Sequence, residues 1–181
     1  MGSGTDGGST PAGVRAARDL TGAGTSVRRL SAAQEALVDW LRGHLALESQ
    51  LDHHGTAGWK YRSVYGLVAA HGRWFVPAAL PAGVRALPKR QCFANAAATE
   101  RRHPELTYSE GFALAHDSSV PTAHAWCTDA DGHAIDPTWS DHGGSAYLGI
   151  VPPPALRPRA PRNWGVLEAP GSLFRLLRRG L

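Results

Sequence analysis

Three side chains in the middle of the chain, Cys92, His124 and Asp136, have the types and the order that nucleophilic catalysis by cysteine requires. A thiolate is a strong nucleophile, an imidazole can accept and return its proton, and a carboxylate can orient the imidazole. Cys92 stands where an extended segment meets a predicted helix, and the positive end of a helix stabilises a thiolate. Lys89 and Arg90 add positive charge beside it. This pattern predicts covalent attack on an acyl carbon.

Whether His124 and Asp136 can meet depends on the register of a hairpin predicted within residues 122–138. A three-residue loop at 130–132, with its glycine in the left-handed conformation, is a common hairpin form. In that register Trp126 faces Asp136, and His124 lies diagonal to Asp136 on the same face, within side-chain reach. A two-residue loop would place them on opposite faces. The sequence therefore predicts the pairing for one of two registers.

The opposite face of this hairpin is small and apolar, with Ala125, Cys127 and Ile135 among its residues, and suits packing against a helix. Cys127 is therefore predicted to be a core residue. Two cysteines do not make a disulfide framework, and no C-x-x-C spacing supports a zinc site. We expect neither a bound metal nor a cofactor.

Further residues could support the chemistry. An oxyanion needs preorganised donors, and the backbone N–H of Cys92 is one candidate. Gln91, Asn95 and Tyr108 could donate from their side chains, although Asn95 could equally bond the nearby backbone. Trp126 and Trp139 could shield the site from water or serve as ordinary core aromatics.

Local patterns predict an α+β fold, with helices and antiparallel strands and no doubly wound sheet. Ser31 and Gln34 resemble a capping box at the start of the first helix. Residues 59–71 have helix-compatible spacing, although a strand is possible there. The prolines in 76–88 favour an extended connection. Helices are predicted at 30–49, 92–102 and 173–179, and strands at 106–115, 122–128, 133–138 and 147–151.

Length and composition predict one domain, at residues 28–181 of the 181, after a Gly- and Ser-rich tail at 1–27 that we expect to be disordered. The net charge of +4 lies mostly in Arg-rich stretches. We interpret it as a solvated surface, not a nucleic-acid site. No apolar run matches a bilayer span, and no secretory signal is evident, so we expect a cytoplasmic protein with no membrane partner.

Three short motifs resemble those of transglutaminases. Residues 90–93, Arg-Gln-Cys-Phe, resemble a Gly-Gln-Cys-Trp nucleophile motif; residues 123–126, Ala-His-Ala-Trp, are similar to a His-x-Trp strand; and residues 136–138, Asp-Pro-Thr, resemble Asp-Ala-Thr. Their order and spacing agree over roughly residues 60–150, which indicates the transglutaminase-like branch of the papain-like cysteine enzymes.

The resemblance implies a papain-like fold, in which the cysteine begins a helix packed on an antiparallel sheet. It implies that Cys92 is the nucleophile, His124 the general base and acid, and Asp136 the group that orients His124. Arg90 and Phe93 depart from the family motif, and no D-x-D-x-D-G loop suggests calcium control.

The expected activity is acyl transfer from an amide or related acyl group through a thioester, with water or an amine as acceptor. The substrate would be a peptide, a protein or a small amide. Arylamine acetyltransferases use the same residue order, but their Arg-Gly-Gly-x-Cys signature is absent here. A third possibility is a non-catalytic binding module that retains a vestigial triad and uses its basic C-terminal surface.

Overall fold

The structure is a computed structural model that describes residues 29–51, 54–139, 143–159, 163–172 and 174–181. The predicted N-terminal tail, residues 1–27, lies outside this part of the chain. The helices and strands of the described residues are, in chain order, α1 Ala32–Glu48, α2 Val64–His71, β1 Arg73–Ala78, α3 Cys92–Arg102, β2 Thr107–Ala115, β3 Thr122–Thr128, β4 His133–Ile135, β5 Gly144–Ile150 and α4 Arg175–Arg179.

The five strands close into a small barrel in the order β1-β4-β3-β2-β5. The antiparallel pairs are β1–β5, β5–β2, β2–β3 and β3–β4. The prediction of an antiparallel sheet is wrong in one respect, because β1 and β4 pair in parallel, with Val76 opposite His133. The fold is mixed, with helices outside a closed sheet.

Strand β1 was not predicted, because the prolines of residues 76–88 favour an extended connection. Its first half pairs with β5 and its second half with β4. The N–H of Val76 donates to the carbonyl of Gly132 at 3.3 Å. Successive N–H groups of a strand point to opposite sides, so the N–H that Pro77 lacks would point away from β4. The strand therefore accommodates Pro77 without losing a bond to β4.

The ends of the other elements follow from local capping. The Ser31–Gln34 capping box is confirmed, with the Gln34 N–H donating to Ser31 Oγ at 3.2 Å. Residues 59–71 contain a helix, but it begins only at Val64, where Ser63 caps it. The C-terminal helix begins later than predicted, at Arg175, because Phe174 adopts a left-handed conformation, with φ of 54°.

Three apolar clusters hold the barrel and its helices together. Strand alternation directs one cluster into the barrel: Phe75, Ala113, Trp126, Ala134 and Tyr147. On the outer face of β3, Ala125 and Cys127 pack against Ala96 and Ala97 of α3. Helices α1 and α2 cover another outer face, formed by β2 and β5. No helix in the described ranges combines the length and apolar character needed to cross a bilayer.

Candidate active site

The β3–β4 hairpin adopts the register that brings His124 and Asp136 together. Cys127 lies opposite Ile135, and Gly132 has the left-handed φ of 85° that a three-residue loop needs. His124 Nε2 lies 2.7 Å from Asp136 Oδ2, and each side chain is only 3% exposed. The predicted pairing of these two residues is confirmed.

The Asp136 carboxylate is held by four contacts, and its Oδ2 meets His124. Its Oδ1 accepts hydrogen bonds from the N–H groups of Thr138 at 2.8 Å and Trp139 at 3.2 Å. Its Oδ2 also accepts a hydrogen bond from the hydroxyl of Tyr147 at 2.8 Å. Burial alone would raise the pKa of Asp136, but the bonds from His124, Thr138 and Tyr147 outweigh burial and lower it. Asp136 is therefore an oriented anion at neutral pH.

The His124 imidazole is correspondingly stabilised in its protonated form. Burial alone would lower the pKa of His124, but the hydrogen bond and charge of Asp136, together with its interactions with Cys92, raise it to about 9. The Trp139 ring stacks on the imidazole, with centroids 3.7 Å apart and planes 14° apart. Since Nε2 faces Asp136, Nδ1 is the nitrogen left for Cys92. The site thus contains an imidazolium–carboxylate pair covered by an indole.

Helix α3 carries Cys92 to this pair. The helix begins at Cys92, as predicted, and the side chain is partly exposed. The Ala96–Ala97 turn lets the helix pack closely on β3, and the Cys127 thiol contacts the Ala96 carbonyl, with a sulfur–oxygen distance of 3.3 Å. Cys127 is fully buried, which confirms it as a core residue. The packing of α3 on β3 therefore brings the partly exposed Cys92 thiol near enough to His124 to help raise the pKa of its imidazole.

Donors for an oxyanion remain at the start of α3. The first bond of this helix runs from the N–H of Asn95 to the carbonyl of Gln91 at 2.8 Å. The N–H of Cys92 precedes that bond and has no partner within the helix. The Gln91 side chain is exposed and does not cap the helix. Both groups are therefore free to meet a substrate oxygen.

Of the two roles predicted for Asn95, the structure shows the bond to the nearby backbone. Its amide nitrogen donates to the Pro88 carbonyl at 2.7 Å and to Thr138 Oγ1 at 3.0 Å. These two bonds use both amide hydrogens and tie the segment before Cys92 to the loop after Asp136. Asn95 holds the two halves of the site together.

Tyr108 is also committed elsewhere. It is fully buried, and its hydroxyl donates to Glu110 Oε2 at 2.8 Å. Burial and the neighbouring Glu110 raise the pKa of Tyr108 well above its usual value, so the hydroxyl keeps its proton. A donor already paired with a buried carboxylate cannot also serve an oxyanion. The prediction that Tyr108 donates to substrate is therefore wrong.

Trp126 is a core aromatic. Its ring meets those of Phe75 and Tyr147 edge-on inside the barrel, with centroids 5.2 Å and 5.1 Å away. Its buried indole nitrogen finds no hydrogen-bond partner among the described residues. Trp139, not Trp126, covers the imidazole.

Two residues of this site carry no recognisable signal in the sequence. Tyr147 reaches Asp136 from β5, and only closure of the barrel brings those strands together. Glu110 is buried and accepts bonds from the N–H groups of Val166 at 2.7 Å and Leu167 at 3.2 Å. Burial raises the pKa of Glu110 more than its hydrogen bonds lower it, and the net value is about 7. Glu110 fastens the C-terminal segment to the barrel behind Tyr108.

A possible cation cluster lies in the hairpin loop, where ligand atoms of Asp129, Asp131 and His133 lie within 4.8 Å of one another. Asp129 Oδ1 accepts the N–H groups of Asp131 and His133, and its Oδ2 lies 2.7 Å from His133 Nδ1. Through these bonds the Asp129 side chain caps the turn, which explains why the three residues lie together. Hairpin geometry explains it without an ion.

Comparison with known proteins identifies no relative of this chain. No protein-family model, no curated protein and no solved structure matches the chain.

Proposed function

We propose that this chain is a cysteine acyl-transfer enzyme of the transglutaminase-like branch of the papain-like superfamily, with a Cys92–His124–Asp136 triad. The observation that carries the proposal is the buried His124–Asp136 pair, 2.7 Å apart, whose imidazole also interacts with Cys92. This arrangement supports the order of nucleophile, base and orienting group that such catalysis needs.

In the first half-reaction, His124 already holds the Cys92 proton as an imidazolium, and the thiolate sulfur attacks the carbonyl carbon of an amide. The N–H of Cys92 and the Gln91 side chain stabilise the oxyanion. The carbon–nitrogen bond then breaks, and the imidazolium of His124 gives its proton to the leaving amine. The product is a thioester between the acyl group and Cys92.

In the second half-reaction, His124 takes a proton from water or from an acceptor amine, which attacks the thioester carbon. The carbon–sulfur bond breaks, the acyl product leaves, and the proton returns to the Cys92–His124 pair. Water gives hydrolysis or deamidation, and an amine gives transfer. Asp136 keeps Nε2 of His124 oriented throughout and neutralises the imidazolium.

Energetics favour catalysis over a structural role for the His124–Asp136 pair. Burying two charged groups costs several kcal/mol for each ion, and their attraction repays this only when the geometry is good. Apolar residues of similar size often give equal or greater stability at such positions. A fully structural module would gain little from keeping a buried imidazolium beside an accessible thiol.

Alkylation by iodoacetamide at pH 6 tests the proposal. An ordinary thiol is less than about 1% thiolate at that pH and reacts slowly. Cys92 in the native protein should react at least about tenfold faster than the same residue in urea-unfolded chain, because the His124 imidazolium stabilises the thiolate. His124→Gln, if folded, should remove that advantage. Equal rates in native and unfolded chain would refute the proposal.

A further inference from the structure

We propose that a cavity beside the C-terminal half of α3 binds a phosphate monoester. The cavity has a volume of about 360 Å³ and lies between the chain segment that leads to Cys92 and the face of α3 that carries Thr99 and Arg102. This inference goes beyond acyl transfer and does not rest on it.

The outer wall of the cavity is a fixed loop. The Val84 N–H donates to the Pro81 carbonyl at 3.1 Å, and Gly83 supplies the left-handed φ of 87° that this turn needs. At the other end, the Leu87 N–H donates to the Pro137 carbonyl at 2.8 Å. Because both ends of the loop are bonded, the cavity exists before any ligand arrives.

The lining is cationic. Arg85, Arg102 and His103 line the cavity, and none of its lining residues is acidic. The guanidinium groups of Arg85 and Arg102 make no ion pair with any described residue, whereas His103 Nδ1 lies 3.2 Å from Glu105. The C-terminal end of α3 contributes about half a negative charge, which the two guanidinium charges outweigh. The cavity therefore attracts anions.

Thr99 supplies an unused polar group at the same place. Its side chain lines the cavity and is only 3% exposed, and its hydroxyl makes no hydrogen bond to any described residue. Among the described residues, only the Trp126 indole nitrogen is a fully buried side-chain polar atom without a partner, so the Thr99 hydroxyl is open to the cavity. A ligand oxygen there could accept its hydrogen bond. Thr99 and Arg102 are three residues apart and therefore lie on the same face of the helix.

The shape and charge indicate which anion fits. A phosphate monoester carries nearly two negative charges at neutral pH and three acceptor oxygens, which match two guanidinium groups and a hydroxyl. Val84, Ala86 and Leu87 give the cavity an apolar wall, and its volume exceeds that of an inorganic phosphate ion. A small apolar or ring group on the ester would fill the remaining space.

Isothermal titration of the full chain with phenyl phosphate tests this site. Arg85→Ala and Arg102→Ala should each weaken binding at least about tenfold, since a charge-assisted contact is lost. Thr99→Val, which keeps the side-chain shape, should weaken it by a smaller factor. Arg101→Ala is the matched control, because Arg101 is exposed on the same helix but does not line the cavity. It should bind like the wild type.

Benzoate and inorganic phosphate separate the contributions of charge and ring. Both should bind more weakly than phenyl phosphate, benzoate because it carries one charge and phosphate because it lacks the apolar group. Tighter binding of benzoate would overturn the phosphate assignment. Absence of phenyl phosphate binding at millimolar concentration, or an equal loss in Arg101→Ala, would overturn the site itself. Circular dichroism confirms that each variant is folded.

Discussion

The hydroxyl of Tyr147 donates to Oδ2 of Asp136 at 2.8 Å, and the same oxygen meets Nε2 of His124 at 2.7 Å. Tyr147 therefore fixes the atom that orients the imidazole. It lies on β5, whereas Asp136 follows β4, so the orientation of His124 depends on closure of the barrel. Tyr147 is a positioning residue, since it acts on the reaction only through Asp136.

Tyr147→Phe should slow turnover and Cys92 alkylation by about tenfold and cost about 1 kcal/mol of stability, because it removes one hydrogen bond to a charged group. Tyr65→Phe is the matched control, since the Tyr65 ring stacks on Phe112, away from the triad. A purely structural Tyr147 would lower stability while leaving the alkylation rate of folded protein unchanged.

The pKa of His124 should depend on both Asp136 and Cys92. Its imidazole should titrate in NMR with a pKa of about 9, and Asp136→Asn and Cys92→Ala should each lower that value. The same pKa in wild type and Cys92→Ala would show that the thiol does not interact with His124, and so would contradict the triad.

The raised pKa of His124 also predicts how stability varies with pH. In the unfolded chain a histidine titrates near 6.5, so the stabilising charge is fully present below pH 6.5 and is lost as the pH rises through about 9. The unfolding free energy of the wild type should fall over this range more steeply than that of His124→Gln. Parallel pH profiles for the two proteins would rule out the buried imidazolium.

The two cysteines should respond oppositely to truncation. Cys127→Ala deletes a buried sulfur and should cost about 1–2 kcal/mol in denaturant unfolding while leaving turnover largely intact. Cys92→Ala should abolish turnover with little change in stability, because Cys92 is partly exposed. Turnover that survives in Cys92→Ala but disappears in well-folded Cys127→Ala would assign the nucleophile to Cys127.

The hydrogen bonds by which Glu110 holds the C-terminal segment should be disrupted by a methyl group added at Gly165. A Cβ at Gly165 would overlap Oε1 of Glu110, so Gly165→Ala should destabilise the fold by about 1–3 kcal/mol. Gly171→Ala, in the same segment, has no atom within 4 Å of the added carbon and should be nearly neutral. Limited proteolysis should cut the Gly165→Ala protein faster in this segment. Equal stability of the two variants would show that Glu110 does not hold the chain there.

The sequence predicts the parts of this site that local chemistry determines. Helix α3 follows from its alanine-rich turn and from Pro104 beyond its end. A three-residue loop that ends at Gly132 predicts the His124–Asp136 pairing, although a two-residue loop is the alternative. The contacts of Asn95 and Tyr147 could not be predicted in the same way. Asn95 reaches Thr138, 43 residues later in the chain, and Tyr147 lies on β5, which reaches Asp136 only because the barrel closes. A sequence motif does not show which strands become neighbours.

The most direct test of the account is the detection of an acyl-enzyme on Cys92. The Cys127→Ala protein, in which Cys92 is the sole cysteine, is mixed with p-nitrophenyl acetate and analysed by intact-mass and peptide mass spectrometry. We predict one acetyl group on Cys92, which neutral hydroxylamine should release because it cleaves thioesters. The acetyl group should form more slowly in a double variant that carries both Cys127→Ala and Asp136→Asn. The proposed catalytic triad would be contradicted if Cys92 acquired no hydroxylamine-sensitive acetyl group. It would also be contradicted if acetylation were equally fast with and without Asp136→Asn.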